Sequence, residues 1–183
     1  TLSGASTYTG NTILTNGILV LGSAHNPGVS GPIGVGGSIL FNGGTLQFSA
    51  ANTFDYSTRF SGGANQAYKF DTAGQGVIFT NSLGSSAATL TKSGAGTLTL
   101  AGTNSYSGLA TVSAGKLVFQ GVKTGAGDIS VANSASLGIT DTGTQVTPNT
   151  LTLGTSAGTT LEFNNINSMA TPPLAAVTLA TGG

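Results

Sequence analysis

Five acidic side chains have the strongest capacity for chemistry in this sequence: Asp55, Asp71, Asp128, Asp141 and Glu162. Asp55 and Asp71 flank Arg59 and Lys69, and their spacing is close to the length of one coil in a repeating structure. Such a coil would bring the pair together as a general acid and base. No two acids are adjacent or separated by one residue, so we favour the alternative that these are solvated charges at strand ends. We therefore predict that the chain is not an enzyme and has no catalytic residues.

The remaining reactive residue types are too sparse for a cofactor site. His25 is the single histidine and there is no cysteine, so the composition does not support a metal site, and we expect His25 in an exposed loop. No phosphate-binding loop or nucleophile elbow is found. With five Lys plus Arg and a formal net charge of zero, the chain lacks the basic face that binds nucleic acid. We predict no cofactor, no metal and no nucleic-acid partner.

The composition favours short strands over helices. The chain has 30 glycines and only 5% charged residues, and glycine destabilises helix interiors. Apolar residues alternate with Thr or Ser in segments such as "TLTL" and "KLVF". Leu98 and Leu100 are therefore predicted to face a core, with Thr97 and Thr99 facing outward. No segment is a continuous apolar run long enough to span a bilayer, so no transmembrane helix is predicted.

An internal repeat decides between a sandwich of hairpins and a parallel solenoid. Residues 1–22 align without gaps on residues 99–120, so that Thr1 matches Thr99 and the offset stays constant. A solenoid explains a repeated environment, because each coil has nearly the same neighbours. The offset corresponds to about five coils of roughly 20 residues. The matched pairs include Leu2 and Leu100, Gly4 and Gly102, Tyr8 and Tyr106, Gly10 and Gly108, Gly17 and Gly115, and Leu19 and Leu117.

Several residues keep two interpretations at this stage. Tyr8 and Tyr106 are expected to pack at a coil corner, with ligand binding as the alternative. Asparagines near the corners either tolerate left-handed backbone, which we favour, or stack their amides from coil to coil. These are Asn11, Asn16, Asn42, Asn104 and Asn133. We expect loop excursions at about 22–36, 51–69 and 164–176. Residues 1–183 are expected to form one β-helix segment excerpted from a longer repeat protein.

The segment "LTKSGAGTLTLAGTNSYSGLATVSAGKLVF" resembles the autotransporter-associated β-strand repeat, also called the passenger-associated transport repeat. The match is specific at 90–119 and at 1–21. The residues of the second copy that carry it are Leu90, Thr91, Lys92, Gly94, Gly96, Thr97, Leu98, Thr99, Leu100, Gly102, Asn104, Tyr106, Gly108, Val112, Gly115 and Leu117; those of the first are Leu2, Gly4, Tyr8, Gly10, Gly17 and Leu19. Ala110 stands where Thr is common.

The resemblance implies a right-handed, single-stranded parallel β-helix in the passenger of a large bacterial protein that is secreted or displayed at the outer membrane. On that basis we expect a structural rod segment that supports secretion and self-associates along the solenoid or with adjacent repeats. The alternative is an adhesin or carbohydrate-binding passenger that uses loops on the solenoid. A polysaccharide lyase is the third possibility.

Overall fold

Parallel pairing of short strands defines the fold. The computed structural model describes residues 1–140, 145–154, 158–165, 172–175 and 178–181. Every pairing between two named strands in these ranges is parallel. The prediction of an all-β parallel solenoid is confirmed, and the sandwich of hairpins is excluded. The strands are β1 (Thr12–Leu14), β2 (Ile18–Val20), β3 (Ile39–Phe41), β4 (Thr45–Gln47), β5 (Ala67–Asp71), β6 (Gly76–Phe79), β7 (Thr89–Ser93), β8 (Thr97–Leu100), β9 (Ala110–Val112), β10 (Lys116–Phe119), β11 (Ile129–Val131), β12 (Ser136–Thr140), β13 (Thr150–Leu153), β14 (Thr160–Asn164) and β15 (Thr178–Thr181).

The strands form three sheets that run along the solenoid. Within the described residues, an eight-stranded sheet has the order β15-β13-β11-β9-β7-β5-β4-β2, and a five-stranded sheet has the order β14-β12-β10-β8-β6. The third sheet pairs β1 with β3. Single bridges link Asn104, Lys123, Val146 and Leu174 into another row. Each later coil therefore contributes one strand to each large sheet and one residue to this row of bridges.

The alternation read from the sequence positions the core. In β8, Leu98 and Leu100 are buried while Thr97 and Thr99 are half-buried on the outer face, as predicted. The register places Leu98 opposite Val77 on one side and Leu117 on the other. Strands in a ladder lie about 4.8 Å apart, so these side chains stack in direct contact. The core is consequently a narrow column of aliphatic and aromatic side chains.

Coil length varies along the eight-stranded sheet. In the early coils, Val20 lies opposite Gln47 and Gln47 lies opposite Asp71. Later steps along the same sheet span fewer residues, since Leu90 lies opposite Ala110 and Ala110 lies opposite Ile129. The expected coil length therefore describes the later part of the chain, whereas the early coils are longer because they carry the excursions between their strands.

The two repeat copies do not occupy equivalent places. The alignment makes β1 equivalent to β9 and β2 equivalent to β10. However, β10 belongs to the five-stranded sheet, whereas β2 belongs to the eight-stranded sheet that contains β9. The offset arises between β4 and β5, where β4 pairs only with the last two residues of β5. The expectation that each coil has nearly the same neighbours therefore fails for the first copy.

Aromatic rings fill the core where the early coils meet the later ones. Most of the chain's Phe and Tyr residues fall between positions 41 and 79. Phe70 is 5.2 Å from Phe41, 5.3 Å from Phe60 and 4.8 Å from Phe79, measured between ring centroids. Such offset and edge-to-face pairs stabilise beyond their buried area. Large rings suit this region because longer coils enclose a wider interior than the Leu-filled coils that follow.

The three predicted excursions have different outcomes. The loop 22–36 leaves the ladder but folds back, with Ile33 fully buried. The loop 51–69 contains a single 3-10 turn at Ser57–Arg59 and ends earlier than predicted, because β5 begins at Ala67. Most of 164–176 lies outside the described residues, as does Asp141.

Core stacking predicts a large difference between neighbouring positions of β10. Leu117 is fully buried, whereas Val118 is half-buried on the outer face. Leu117→Ala should lower the free energy of unfolding by about 2–5 kcal/mol, because it leaves a cavity in the column. The control Val118→Ala should lower it by less than about 1 kcal/mol. Urea denaturation followed by circular dichroism measures both, and equal effects would contradict the assigned inner and outer faces.

Candidate functional site: the repeat motif and the loop platform

The polar residues of the second repeat copy lie inside the solenoid. Lys92, Asn104 and Tyr106 each have no solvent-exposed surface. Thr91 and Thr99, by contrast, are half-buried on the outer faces of the sheets. Since burial of an unpaired polar group costs free energy, each of these three residues must find partners inside the protein.

Asn104 connects three successive coils. Its Oδ1 accepts a hydrogen bond from Leu83 N at 3.2 Å, and its Nδ2 donates to Gly102 O at 2.6 Å and to Val122 O at 3.5 Å. Asn104 thus pairs with main-chain groups of the coils before and after it. The favoured left-handed backbone is wrong for the candidate asparagines, because none of the five has a positive φ.

Tyr106 and Tyr8 differ although the repeat makes them equivalent. Tyr106 is buried beneath Lys123, whose Nζ lies 4.9 Å from the ring centroid. The Tyr106 hydroxyl has no hydrogen-bond partner, and burial raises the pKa of this phenol. Tyr8 is 40% exposed and its hydroxyl is 2.8 Å from Thr12 Oγ1. Only Tyr106 therefore has the buried corner position expected of both.

The motif glycines mark close contacts between coils. A Cβ on Gly102 would lie 2.6 Å from Asn81 C, and one on Gly108 would lie 2.4 Å from Ala88 O. Gly96 has a φ of +87° and also faces the corner of the previous coil, where a Cβ would lie 2.3 Å from Gln75 O. In the first copy, Gly10 has nothing within 4 Å of such a Cβ, and Gly4 only Ser6 Oγ at 3.9 Å.

The acid and base candidates do not converge on one site. Asp55 accepts hydrogen bonds from Ser57 N and from Thr80 N and Oγ1, at 2.9, 2.8 and 2.6 Å. Burial alone would raise the pKa of Asp55, but the hydrogen bonds from Ser57 and Thr80 hold it below the ordinary value. Asp71 binds Gln47 Nε2 at 2.6 Å, while Lys69 donates to Gly43 O at 3.0 Å. Among the described residues the one ion pair joins Lys116 to Glu162, which lie elsewhere.

These charges are also not simply solvated, as the favoured interpretation held. Arg59 donates from Nε to Gly37 O at 3.0 Å, from Nη1 to Gly34 O at 3.2 Å and from Nη2 to Ile33 O at 2.9 Å, and Nη2 also binds Gly36 O. The guanidinium therefore fastens the loop 22–37 through its carbonyl groups.

His25 is not in an exposed loop position as expected. Its ring lies 4.2 Å from the Phe54 ring and 5.0 Å from the Tyr56 ring, and its Nδ1 is buried without a partner. Burial, assisted by the nearby Arg59 charge, lowers the pKa of His25. Within the described part of the chain no group of three or more His, Cys, Asp or Glu side chains is arranged to hold a metal ion.

We use the term loop platform for residues 22–37 and 51–60, which are joined by specific contacts. Asn52 Nδ2 donates to Ser23 O at 2.7 Å and to Tyr56 Oη at 2.9 Å. Together with Arg59 and the His25–Phe54–Tyr56 ring cluster, these bonds hold the two loops on one side of the early coils. Val29 projects from the platform and is 60% exposed. The platform is a defined surface of the kind that passengers with binding loops require.

Hydroxyl groups align on the outside of the eight-stranded sheet. The register places Thr91, Thr111, Ser130 and Thr152 on consecutive strands. A regular Thr-x-Thr array is nevertheless not formed, because the neighbouring outer row contains Leu109 and Asp128 beside Thr89 and Thr150. This surface lacks the repeating geometry of an ice-binding face.

Comparison with known proteins identifies the repeat. Residues 1–21 and 90–119 match the family described as Passenger-associated-transport-repeat. The chain is similar to the Adhesin BmaC autotransporter of Brucella suis biovar 1 (strain 1330), with 33% identity over 144 residues. The match covers 74% of this chain but 4% of that relative. No solved structure matches the chain. None of the described segments is a helix of the length and apolarity needed to cross a membrane.

The glycine contacts predict unequal effects at equivalent positions of the two copies. Gly108→Ala should lower the free energy of unfolding by about 1–3 kcal/mol, because the new Cβ collides with a main-chain carbonyl. Gly10→Ala should be neutral or stabilising by up to about 1 kcal/mol, since there is space and less chain entropy is lost on folding. Neither glycine has a positive φ. Urea midpoints test the pair, and a larger loss at Gly10 would contradict the stacking.

The Arg59 contacts predict that the loop platform depends on one side chain. Arg59→Gln should release the loop 22–37, because it removes charge-assisted hydrogen bonds that contribute about 1.5–3 kcal/mol each. Limited proteolysis should then cleave this loop faster, and hydrogen exchange should accelerate there. Lys69→Gln is the control, since Lys69 makes a single bond to Gly43. Unchanged cleavage in Arg59→Gln would show that other contacts hold the loop.

Proposed function

The chain carries two copies of the passenger-associated transport repeat, and we propose that it is a structural rod segment in the surface-displayed or secreted passenger of a bacterial autotransporter. The observation that carries the proposal is the repeat at 90–119, whose signature residues make the contacts between coils. The passenger role is supported by the similarity to an autotransporter adhesin. The rod role rests on the continuous parallel ladder.

A parallel ladder suits a chain that must fold after export. Each coil bonds only to the coils before and after it, so folding needs no contact between distant parts of the chain. The chain contains no cysteine and only 5% charged residues. Its folded state therefore depends on hydrogen bonds and apolar stacking, which require no disulfide formation. Self-association is part of this proposal, because strand edges and low charge favour contact with a further coil.

Display at the cell surface is tested in the bacterium that produces the chain. Antibodies raised against residues 1–140 should label intact cells, and externally added protease should remove the signal. A cytoplasmic protein probed in parallel controls for lysis. If the chain is protected in intact cells and becomes accessible only after lysis, the proposal is wrong.

The adhesin is the second candidate function, and the loop platform favours it. Its exposed Val29 and its ring cluster are held rigidly by Arg59 and Asn52. A rigid loop surface lowers the entropy lost on binding. No catalytic role is proposed, because the described acids and bases are each engaged in separate hydrogen bonds.

One substitution separates the two candidate functions. Val29→Asp changes an exposed residue of the platform and should leave folding intact. If the chain acts as a rod, both surface level and attachment to host cells or immobilised glycans should match the unmodified protein. If the platform binds a ligand, attachment should fall at least tenfold while surface level stays constant. Thr91→Asp, on the outside of the eight-stranded sheet, is the matched control.

A further inference from the structure

Two lysines are buried in the interior of the solenoid without a carboxylate. Lys92 and Lys123 have no solvent-exposed surface, whereas Lys69 and Lys116 are half-buried at the outside. In the described residues the single ion pair involves Lys116. A buried ammonium ion without an ion pair is costly, so the structure must compensate it by other means.

Main-chain carbonyl groups surround the Lys92 amine. Its Nζ donates to Ser93 O at 2.9 Å and to Gly94 O at 2.7 Å in its own corner. A third bond, at 3.1 Å, reaches Ala114 O in the corner of the next coil. The neighbouring Gly115 leaves room for the amine, since a Cβ there would lie 2.9 Å from Nζ.

The Lys123 amine has a comparable site one coil further along. Its Nζ donates to Gly125 O and, at 3.2 Å, to Gly127 O. It also lies 4.9 Å above the ring of Tyr106, which belongs to the preceding coil. Both glycines press against that coil, because a Cβ on Gly125 would lie 1.9 Å from Tyr106 O and one on Gly127 would lie 2.1 Å from Gly108 O.

The two lysines therefore contact the same coil from opposite sides. Residues 104–119 form the coil that contains both Tyr106 and Ala114. Lys92 reaches it from the coil before, and Lys123 reaches it from the coil after. Opening of this coil would remove partners from both amines at once and admit water to them.

The charged and titratable groups that face the two amines have partners of their own. Asp71 is the carboxylate nearest in effect to Lys92, and it is engaged with Gln47 Nε2 and Ala73 N. Asp128 has this role for Lys123, and it accepts a bond from Thr150 N. Burial lowers the pKa of both Lys92 and Lys123 to about 8, and these two carboxylates only partly oppose the effect. Burial raises the pKa of Tyr106, so this phenol stays neutral.

We propose that Lys92 and Lys123 form a paired, proton-linked lock on the coil 104–119, in which closing the coil favours the neutral amines and opening it favours the protonated ones. A neutral amine still has two N–H donors, so it can keep two carbonyl partners. The coil is therefore held more tightly as pH rises, and it opens more readily as both amines gain protons. The lock is a property of the fold and does not depend on the proposed function.

The sign follows from proton linkage. In the open coil the lysine pKa is about 10.5, and in the closed coil it is about 8. Between these values the open state binds more protons than the closed state, so the closed coil gains stability as pH rises from about 8 toward 10.5. Below pH 8 both states are protonated and this gain is absent. Measurements should stop at about pH 9.5, because tyrosines of an open chain ionise near pH 10.

Lysine acylation of the full chain tests the lock directly. A water-soluble N-hydroxysuccinimide ester, read out by mass spectrometry, should label Lys69 and Lys116 at least tenfold faster than Lys92 and Lys123. The two slow labels should appear together on the same molecules. Normalised to Lys69 and Lys116, their labelling should fall by at least about tenfold between pH 7.5 and 9.5. Rapid, independent or pH-insensitive labelling of Lys92 and Lys123 would overturn the proposal.

Two substitutions provide an equilibrium test on the purified chain. Lys92→Met and Lys123→Met should each remove about half of the rise in urea midpoint between pH 7.5 and 9.5. Lys69→Met and Lys116→Met are matched controls and should keep the whole rise. An unchanged pH dependence in both buried-lysine variants would contradict the proposal. If either variant fails to fold, the labelling pattern of the unmodified chain still decides the question.

Discussion

In-register parallel stacking of one coil on the next is the constraint on which the rest of the structure depends. It fixes the distance between successive strands and brings equivalent side chains into contact, as in the column of Val77, Leu98 and Leu117. It also brings corners together so closely that Gly108 and Gly125 abut the carbonyl groups of the preceding coil. The repeat is glycine-rich at these points because a larger residue would separate the coils.

The same constraint explains why signature polar residues of the repeat point inward. Corners carry carbonyl groups that no strand partner satisfies, and Lys92 and Asn104 supply the missing donors from inside the core. A lysine is suited to this task because it offers three donors at the end of a flexible, apolar stem. The motif of the passenger-associated transport repeat can therefore be understood as a set of contacts between coils.

Departures from regular stacking coincide with the features that distinguish this chain from a uniform rod. The early coils are longer, their interior is filled by aromatic rings such as Phe41 and Phe70, and they carry the loop platform fastened by Arg59. The later coils are shorter and carry the buried lysines. A passenger built in this way combines a surface with binding loops and a tightly clamped shaft within one continuous ladder.

The sequence by itself determined the all-β class, the parallel solenoid and the inner and outer faces of strands such as β8, because alternation and repetition are local patterns that stacking converts directly into structure. Only the tertiary structure decided that β2 joins the sheet of β9, that Arg59 and Asp55 bind main-chain groups of neighbouring segments, and that Lys92 and Lys123 are buried. These features depend on which residues meet across coils of unequal length. That information lies in the long-range register, and a residue's immediate neighbours in sequence do not contain it.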